Sequence, residues 1–313
     1  MVAKQEKINC TPNFLDDKSA NSIKRARYSI FYRPNWKCEK MDQQQMEIIC
    51  VGNELLIGKT LNTNAQWMAK RATSLGIMIK RITAVGDEVD EIANVINEAL
   101  KRKPQFILTT GGLGPTFDDK TLEGIAKALN CKLEIHEKAL KMVKEKYESY
   151  FKEGRIEKVE LTPPRVKMAK LPEGGELLPN PVGTAPGVLM NVEGTLLIAL
   201  PGVPSEMEAI FEESVAPLLK KYAGEFAFFE TSLYADGIME STLAPLIDQT
   251  MHDNPYVYIK SHPKGEEKKP HIEIHFSTTA KDSKTAKNRL GKAVIQLSEL
   301  IEKSGGRIKL KKS

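Results

Sequence analysis

From Met46 onward the chain alternates short apolar runs with stretches of helical period. Glu47–Val51 reads as a strand. Asn62–Leu75 reads as a helix, with Asn or Thr at its start and Gly76 at its end. Ile77–Val85 alternates as a strand. Asp87 is the expected cap of a helix running to about Arg102, with Ala93, Ile96 and Leu100 at helical spacing and Pro104 to stop it. Phe106–Thr110 is a third strand, followed by a glycine-rich turn and a helix to about Leu129. A charged helix is expected over 136–153. A Pro- and Gly-rich stretch follows, ordered by short strands near Val166–Ala169, Val188–Met190 and Thr195–Leu200. After Leu200 a helix through Met207 and Phe211 starts at Pro204, a residue suited to the first helical position.

Strand and helix alternating at this spacing imply crossover connections. The fold class expected for 46–222 is therefore α/β, a three-layer α/β/α domain around a mostly parallel sheet. Past about Ala223 the order changes to strand (Phe226–Tyr234), helix (Met239–Thr250), strands (Tyr256–Ser261, His271–Phe276) and helix (Ser283–Lys303). That order predicts a small α+β domain over 223–308, with 309–313 as a frayed basic tail. Residues 1–45 carry neither period and read as a disordered extension, with Met46 as an alternative natural start.

Composition changes this picture little. Of 313 residues 41% are hydrophobic and 28% charged, with a net charge of +5. Residues 1–45 hold nine Lys and Arg against five Asp and Glu, so the remainder is near neutral and offers little support for a nucleic-acid surface. The arm around Lys24, Arg25 and Arg27 could touch an acidic partner. No apolar run of about 18 residues predicts a membrane span. Cys10, Cys38, Cys50 and Cys131 have no metal-ligand spacing and suggest reduced thiols in a cytoplasm.

The candidate chemistry lies in four segments at predicted carboxyl ends of strands, where ligands bind in such sheets. In the turn after Thr110, the glycines Gly111, Gly112 and Gly114 allow backbone N–H groups to approach an anion. Thr116, Asp118 and Asp119 follow, and two carboxylates beside an anion suit a bridging divalent metal. A plain helix cap is the rival reading; it needs one aspartate and no glycines. Gly52, Asn53 and Glu54 end the first strand. Glu54 could orient a metal-bound water or bind a ribose hydroxyl. The segment Asn180–Gly187, with Gly183 and Thr184, could lie flat over a ligand. Gly202, Ser205 and Glu206 open the last helix of the domain. Asn64 joins Asn53 and Thr184 as a weaker candidate for ribose or base contacts. His271 and His275 share a strand face but stand about 13 Å apart, too far for one metal.

Gly52–Gly58, Asn62–Ala65, Gly111–Thr121, Gly183–Gly187 and Pro201–Met207, in this order and spacing, resemble the CinA family (competence/damage-inducible protein A). The likeness covers about 46–222 and is to that family's N-terminal domain, of the molybdopterin-binding fold superfamily. The rest looks like its K-homology-like middle domain without the G-x-x-G loop that clamps nucleic acid, which suggests a structural or dimer-forming role. Family members often carry a further amidase domain that deamidates nicotinamide mononucleotide. These 313 residues leave no segment for it, so that activity is not expected.

The resemblance implies a metal-dependent pyrophosphatase that splits a nucleotide diphosphate such as ADP-ribose into AMP and a sugar phosphate. The glycines would cradle the diphosphate. Asp118 and Asp119 would hold Mg²⁺ or a similar ion, with K⁺ a further candidate, and Glu54 or Glu206 would orient the water. The partners implied are a small nucleotide substrate and a second copy of the chain, with neither nucleic acid nor membrane. An alternative is molybdopterin binding or adenylylation in molybdenum cofactor biosynthesis, using the same loop. A second alternative is a non-catalytic binding protein acting through the second domain or the basic arm.

Overall fold

A computed structural model of the chain describes residues 44–224, 226–264 and 271–310. The readings for 1–43 and 311–313, including the basic arm, fall outside them. The first strand, β1 (Gln45–Val51), begins at the last residue assigned to the extension. It leads to a one-turn helix α1 (Asn53–Leu56), then α2 (Thr63–Ser74), β2 (Met78–Val85), α3 (Val89–Lys101), β3 (Phe106–Thr110) and α4 (Thr121–Ala128). Next come β4 (Leu133–Ile135), α5 (Glu137–Lys152), α6 (Pro163–Lys167), β5 (Lys170–Pro172), β6 (Glu176–Leu178), β7 (Gly187–Val192) and β8 (Thr195–Leu200). The first region closes with α7 (Pro204–Ile210), a π-helical turn at Phe211–Val215 and α8 (Ala216–Ala223).

The main sheet runs β2-β1-β3-β8-β7-β6. Its first four strands are parallel, and β7 and β6 add antiparallel strands at one edge. The period of two along buried strands divides the core between two faces. Met46, Ile48 and Cys50 of β1, with Phe106 and Leu108 of β3, pack against α2, α7 and α8. Ile49, Val51 and Ile107 point the other way, into a cluster with Ile92 and Ile96 of α3, Ile125 of α4 and Val143 of α5. Three layers result, the α/β class expected.

Three expectations need correction. Val166–Ala169 is not a strand. Pro163 and Pro164 occupy the first helical positions after Thr162 and start α6, and the strand follows at Lys170–Pro172. Asp87 does not cap α3, whose N-cap is Glu88 without a side-chain bond. Residues 309–310 are not a frayed end. They belong to β12, pairing with β9, and Lys309 Nζ lies 2.6 Å from Asp236 Oδ2. Asn62, by contrast, caps α2 by accepting from the Ala65 N–H at 3.1 Å.

The second region comprises β9 (Ala227–Asp236), α9 (Glu240–Asp253), β10 (Tyr258–Pro263), β11 (His271–Ala280), α10 (Ser283–Lys303) and β12 (Arg307–Leu310). Its antiparallel sheet runs β10-β11-β9-β12. Ile259, Ile272, Ile274 and Phe276 face Leu243 and Ile247 of α9 and Leu290 and Leu297 of α10 in a separate core. His271 and His275 pair with different carboxylates, Asp236 at 2.5 Å and Glu230 at 3.0 Å.

At the amino end of β1, opposite the site described next, buried Glu47 receives two hydrogen bonds from Arg102, at 2.8 and 2.7 Å. Arg102→Ala would leave that carboxylate with only the longer 4.0 Å pairing to Arg81. The expected loss in urea denaturation is about 2 kcal/mol. It stays below the ~3–5 kcal/mol of a fully buried pair because the guanidinium is 34% exposed.

Candidate functional site

The strand order places a topological switch between β1 and β3. The chain leaves β1 for α2 on one face of the sheet and leaves β3 for α4 on the other, so the two exits diverge and open a crevice. A cleft of about 450 Å³ lies there. It is lined by Gly52 and Glu54 after β1; Asn64 of α2; Thr110, Gly111, Gly112, Gly114, Thr116, Asp118 and Asp119 after β3; Thr184; and Gly202 and Glu206 after β8. The structure thus gathers most of the sequence-derived candidates at one sheet edge.

Three candidates stand outside the lining. The backbone N–H of Asn53 donates to Asp87 Oδ2 at 2.9 Å, and its side chain packs at Gly86. Gly183 lies beneath Glu206, where a Cβ would come within 2.0 Å of the carboxylate carbon. Ser205 is exposed in the first turn of α7.

Backbone geometry explains the glycine loop. Gly111 has φ of 101°, and a Cβ there would stand 2.1 Å from the Val51 carbonyl oxygen. Only a residue without a side chain lets the exit of β3 lie against the end of β1. The Thr121 hydroxyl donates to Gly111 O at 2.7 Å and draws the start of α4 under the loop. Across the cleft, Asn64 Nδ2 donates to Thr110 Oγ1 at 3.1 Å and to Gly202 O at 2.8 Å. The Thr110 hydroxyl donates to Pro201 O at 2.9 Å. One asparagine and one threonine thus tie α2, β3 and β8 together.

Neither aspartate is a cap: the N-cap of α4 is Lys120, without a side-chain bond. Instead the Thr116 hydroxyl stands between them, hydrogen-bonded to Asp118 Oδ1 and 2.5 Å from Asp119 Oδ2, which also accepts the Thr116 N–H at 2.8 Å. One hydroxyl proton cannot serve two carboxylates at once. The hydrogen bond from Thr116, the Asp118 backbone N–H, and the charges of Lys167 and Lys120 hold the Asp118 carboxyl below its usual range. Lys167 Nζ donates to Thr116 O at 2.6 Å.

Burial pushes the Glu206 carboxyl above the usual range, against a hydrogen bond from Asn180 and the charge of Lys146. Among the described residues lining the cleft, Glu54, Asp87, Asp118, Asp119 and Glu206 are acidic and none is Lys, Arg or His. No group of three or more His, Cys, Asp or Glu among the described residues is arranged to hold a metal by itself. Asp118 and Asp119 are the carboxylates of the lining that could contact a divalent ion, and its remaining ligands would then have to come from a bound phosphate and water.

Sequence reasoning missed Asp87, Lys167 and Asn180 as site residues. Asp87 carried the signature of a helix cap, and Lys167 lay in a segment read as a strand. Asn180 opened a segment singled out for its Pro and Gly content, but only the contacts distinguish it.

The family described as "Probable molybdopterin binding domain" matches residues 47–221, the whole of the first region apart from its ends. The chain belongs to this family. A protein of Sulfurisphaera tokodaii is 45% identical over 263 residues, covering 84% of this chain and 97% of that protein. Protein PAE0875 of Pyrobaculum aerophilum is 46% identical over 256 residues, covering 82% and 93%. Both alignments are longer than the matched domain, so the likeness extends past the molybdopterin-binding-type region. Among solved structures, the protein CinA of Thermoplasma acidophilum, described as of unknown function, is 41% identical with a TM-score of 0.51, over 58% of this chain and 98% of that one. The molybdopterin-binding-type domain thus has the fold and family that its motifs suggested.

Thr116→Val removes the hydroxyl between the two aspartates. The titration of Asp118, followed by carboxyl-carbon NMR, is expected to move up toward the ordinary aspartate range. A depressed carboxyl contributes stability above its unfolded pKa and loses it as pH falls through the folded value. The variant should therefore lose less stability than wild type on acidification.

Proposed function

We propose that the cleft binds a phosphorylated pterin of the molybdopterin kind together with a divalent cation, and supports chemistry such as adenylylation at that ligand's phosphate. The observation that carries this reading is a wall of glycine backbone beside two carboxylates, in a cleft whose lining holds no cationic side chain. An anionic ligand would be repelled by five acidic residues unless a cation came with it. The family match adds the chemical class of the ligand.

Gly112 and Gly114 would present the phosphate to backbone groups, as a close approach to an anion requires, while the Gly111 N–H is already given to Leu200 O at 3.1 Å and shapes the turn instead. Asp118 and Asp119 are the residues that would hold the ion, Mg²⁺ or similar. When bound, such an ion neutralises charge developing on phosphate oxygens. Asn64 and Thr110 keep the three strand exits at a fixed spacing. The second region, with its K-homology-like order of elements, we read as structural or dimer-forming. Among the described residues no helix is long and apolar enough to cross a membrane, and Cys50 and Cys131 are free thiols, which fits a reducing cytoplasm.

A second reading, hydrolysis of a nucleotide diphosphate such as ADP-ribose to AMP and a sugar phosphate, is favoured by Glu206. A half-buried carboxyl with raised proton affinity, lining the cleft, suits taking a proton from water.

Equilibrium dialysis of the full chain against molybdopterin and against ADP-ribose, with Mg²⁺ or with chelator, separates the two. The first reading expects metal-dependent pterin binding that falls at least about tenfold, or 1.4 kcal/mol, in Asp119→Ala. Pterin binding indifferent to both metal and Asp119 would sink it. AMP released from ADP-ribose without pterin binding would establish the second.

A further inference from the structure

Glu206 is held in place more elaborately than its neighbours in the cleft. Its Oε2 accepts from Asn180 Nδ2 at 2.6 Å, and the same nitrogen donates to Ala185 O at 2.7 Å. Asn180 Oδ1 accepts from the backbone N–H groups of Val182 at 3.1 Å and Gly183 at 2.7 Å. An amide offers two donor hydrogens and two acceptor lone pairs, and here all four are used. The two N–H groups fix which way the amide points, so its nitrogen must face Glu206. Asn180 is 6% exposed, so these bonds are sheltered from water. The carboxylate also rests on Gly183, where any Cβ would collide with it.

We propose that Asn180 is the positioning residue for Glu206: with Gly183 as its floor it holds the carboxylate at one place in the cleft and sets the pH range over which Glu206 exchanges a proton during phosphate chemistry. The proposal rests on the cleft being a site of phosphate chemistry, and it names which carboxylate carries the proton. In the hydrolytic reading Glu206 takes a proton from the attacking water as that oxygen bonds to phosphorus. The bond from phosphorus to the leaving oxygen breaks, the electron pair leaves with that oxygen, and Glu206 returns its proton to solvent.

The groups around the carboxylate give the sign. From α5 come Lys146, whose Nζ lies 3.5 Å from Pro181 O, and Tyr150, which interacts electrostatically with Glu206; from the 180–187 loop comes Asn180. Burial favours the neutral carboxyl, while the Asn180 hydrogen bond and the Lys146 charge favour the anion. Replacing the Asn180 amide by a carboxylate removes the donor and adds a like charge, so Glu206 must hold its proton to higher pH.

Carboxyl-carbon NMR of the full chain tests this, with the Glu206 signal assigned by its loss in Glu206→Gln. In Asn180→Asp the Glu206 midpoint is expected to move upward, and the acid limb of ligand turnover to move with it. A loss of turnover of tenfold or more at the acid end should recover as pH rises. Asn180→Ala removes the donor without adding charge: a residue that only braces the loop would lower stability and leave the Glu206 midpoint in place there, which would overturn the proposal. Wild type supplies a reading that needs no variant to fold: the Asn180 side-chain NH₂ signals should follow the Glu206 titration and become pH-invariant in Glu206→Gln. If they do not follow it, the proposal is wrong even where pterin or nucleotide binding is established. If they do and neither ligand binds, the positioning stands and the ligand assignment falls.

Discussion

The site depends on one close contact, that of the Gly111 backbone with the carbonyl of Val51. A Cβ at Gly111 would stand 2.1 Å from that oxygen, so the exit of β3 can cross the end of β1 only as bare backbone. Everything at the carboxyl edge is arranged around this crossing. Gly111 N donates to Leu200 O at 3.1 Å, which joins the same loop to the end of β8. Thr121 draws α4 up behind it, and Gly52 N–H bonds Val85 O at 3.0 Å on the far side of β1. The diverging exits of β1 and β3 make a crevice, and the glycine wall makes it narrow enough to be a cleft.

Charge then sets what such a cleft can hold. Its lining is acidic, and the neighbouring cations Lys167 and Lys146 spend their contacts on the backbone carbonyls of Thr116 and Pro181. The Asp118 carboxyl is pulled below its ordinary range by hydrogen bonds and nearby lysines, while Glu206 is pushed above its range by burial. Carboxylates driven apart in this way can take different roles at one pH, one staying charged and the other trading protons. The separation comes from position: Asp118 sits on an exposed turn and Glu206 in the half-buried first turn of α7, under Asn180.

Much of the fold is legible along the chain because each element carries its own period. The inner parallel strands β1, β3 and β8 are near-continuous apolar runs, as strands covered on both faces must be, while the edge strand β2 is mixed and largely exposed. Pro204 and Asn62 mark helix starts by local chemistry. The motif loops are legible too, since glycines at fixed offsets after a strand have few structural uses. Where the reading failed, one local signal had two physical outcomes. Asp87 before a helix is a good cap, yet its carboxylate is engaged by the Asn53 N–H, 34 residues away in sequence. The prolines at 163 and 164 can end a strand or start a helix. The run from 309 is mostly basic, but β9 offers Lys309 and Leu310 an edge to pair with.

The sequence by itself determined the α/β alternation, the change of architecture after Ala223, and the glycine and aspartate loop, because these follow from period, backbone freedom and spacing within a few residues. Only the tertiary structure decided which carboxylates share the cleft, that Thr116 rather than a helix end holds Asp118 and Asp119, and that Asn180 serves Glu206. The Thr116 contacts span only two and three residues but depend on how the loop bends. The shared cleft and the Asn180–Glu206 pair join segments brought together by the sheet, and no local pattern records the distance between one strand exit and the next.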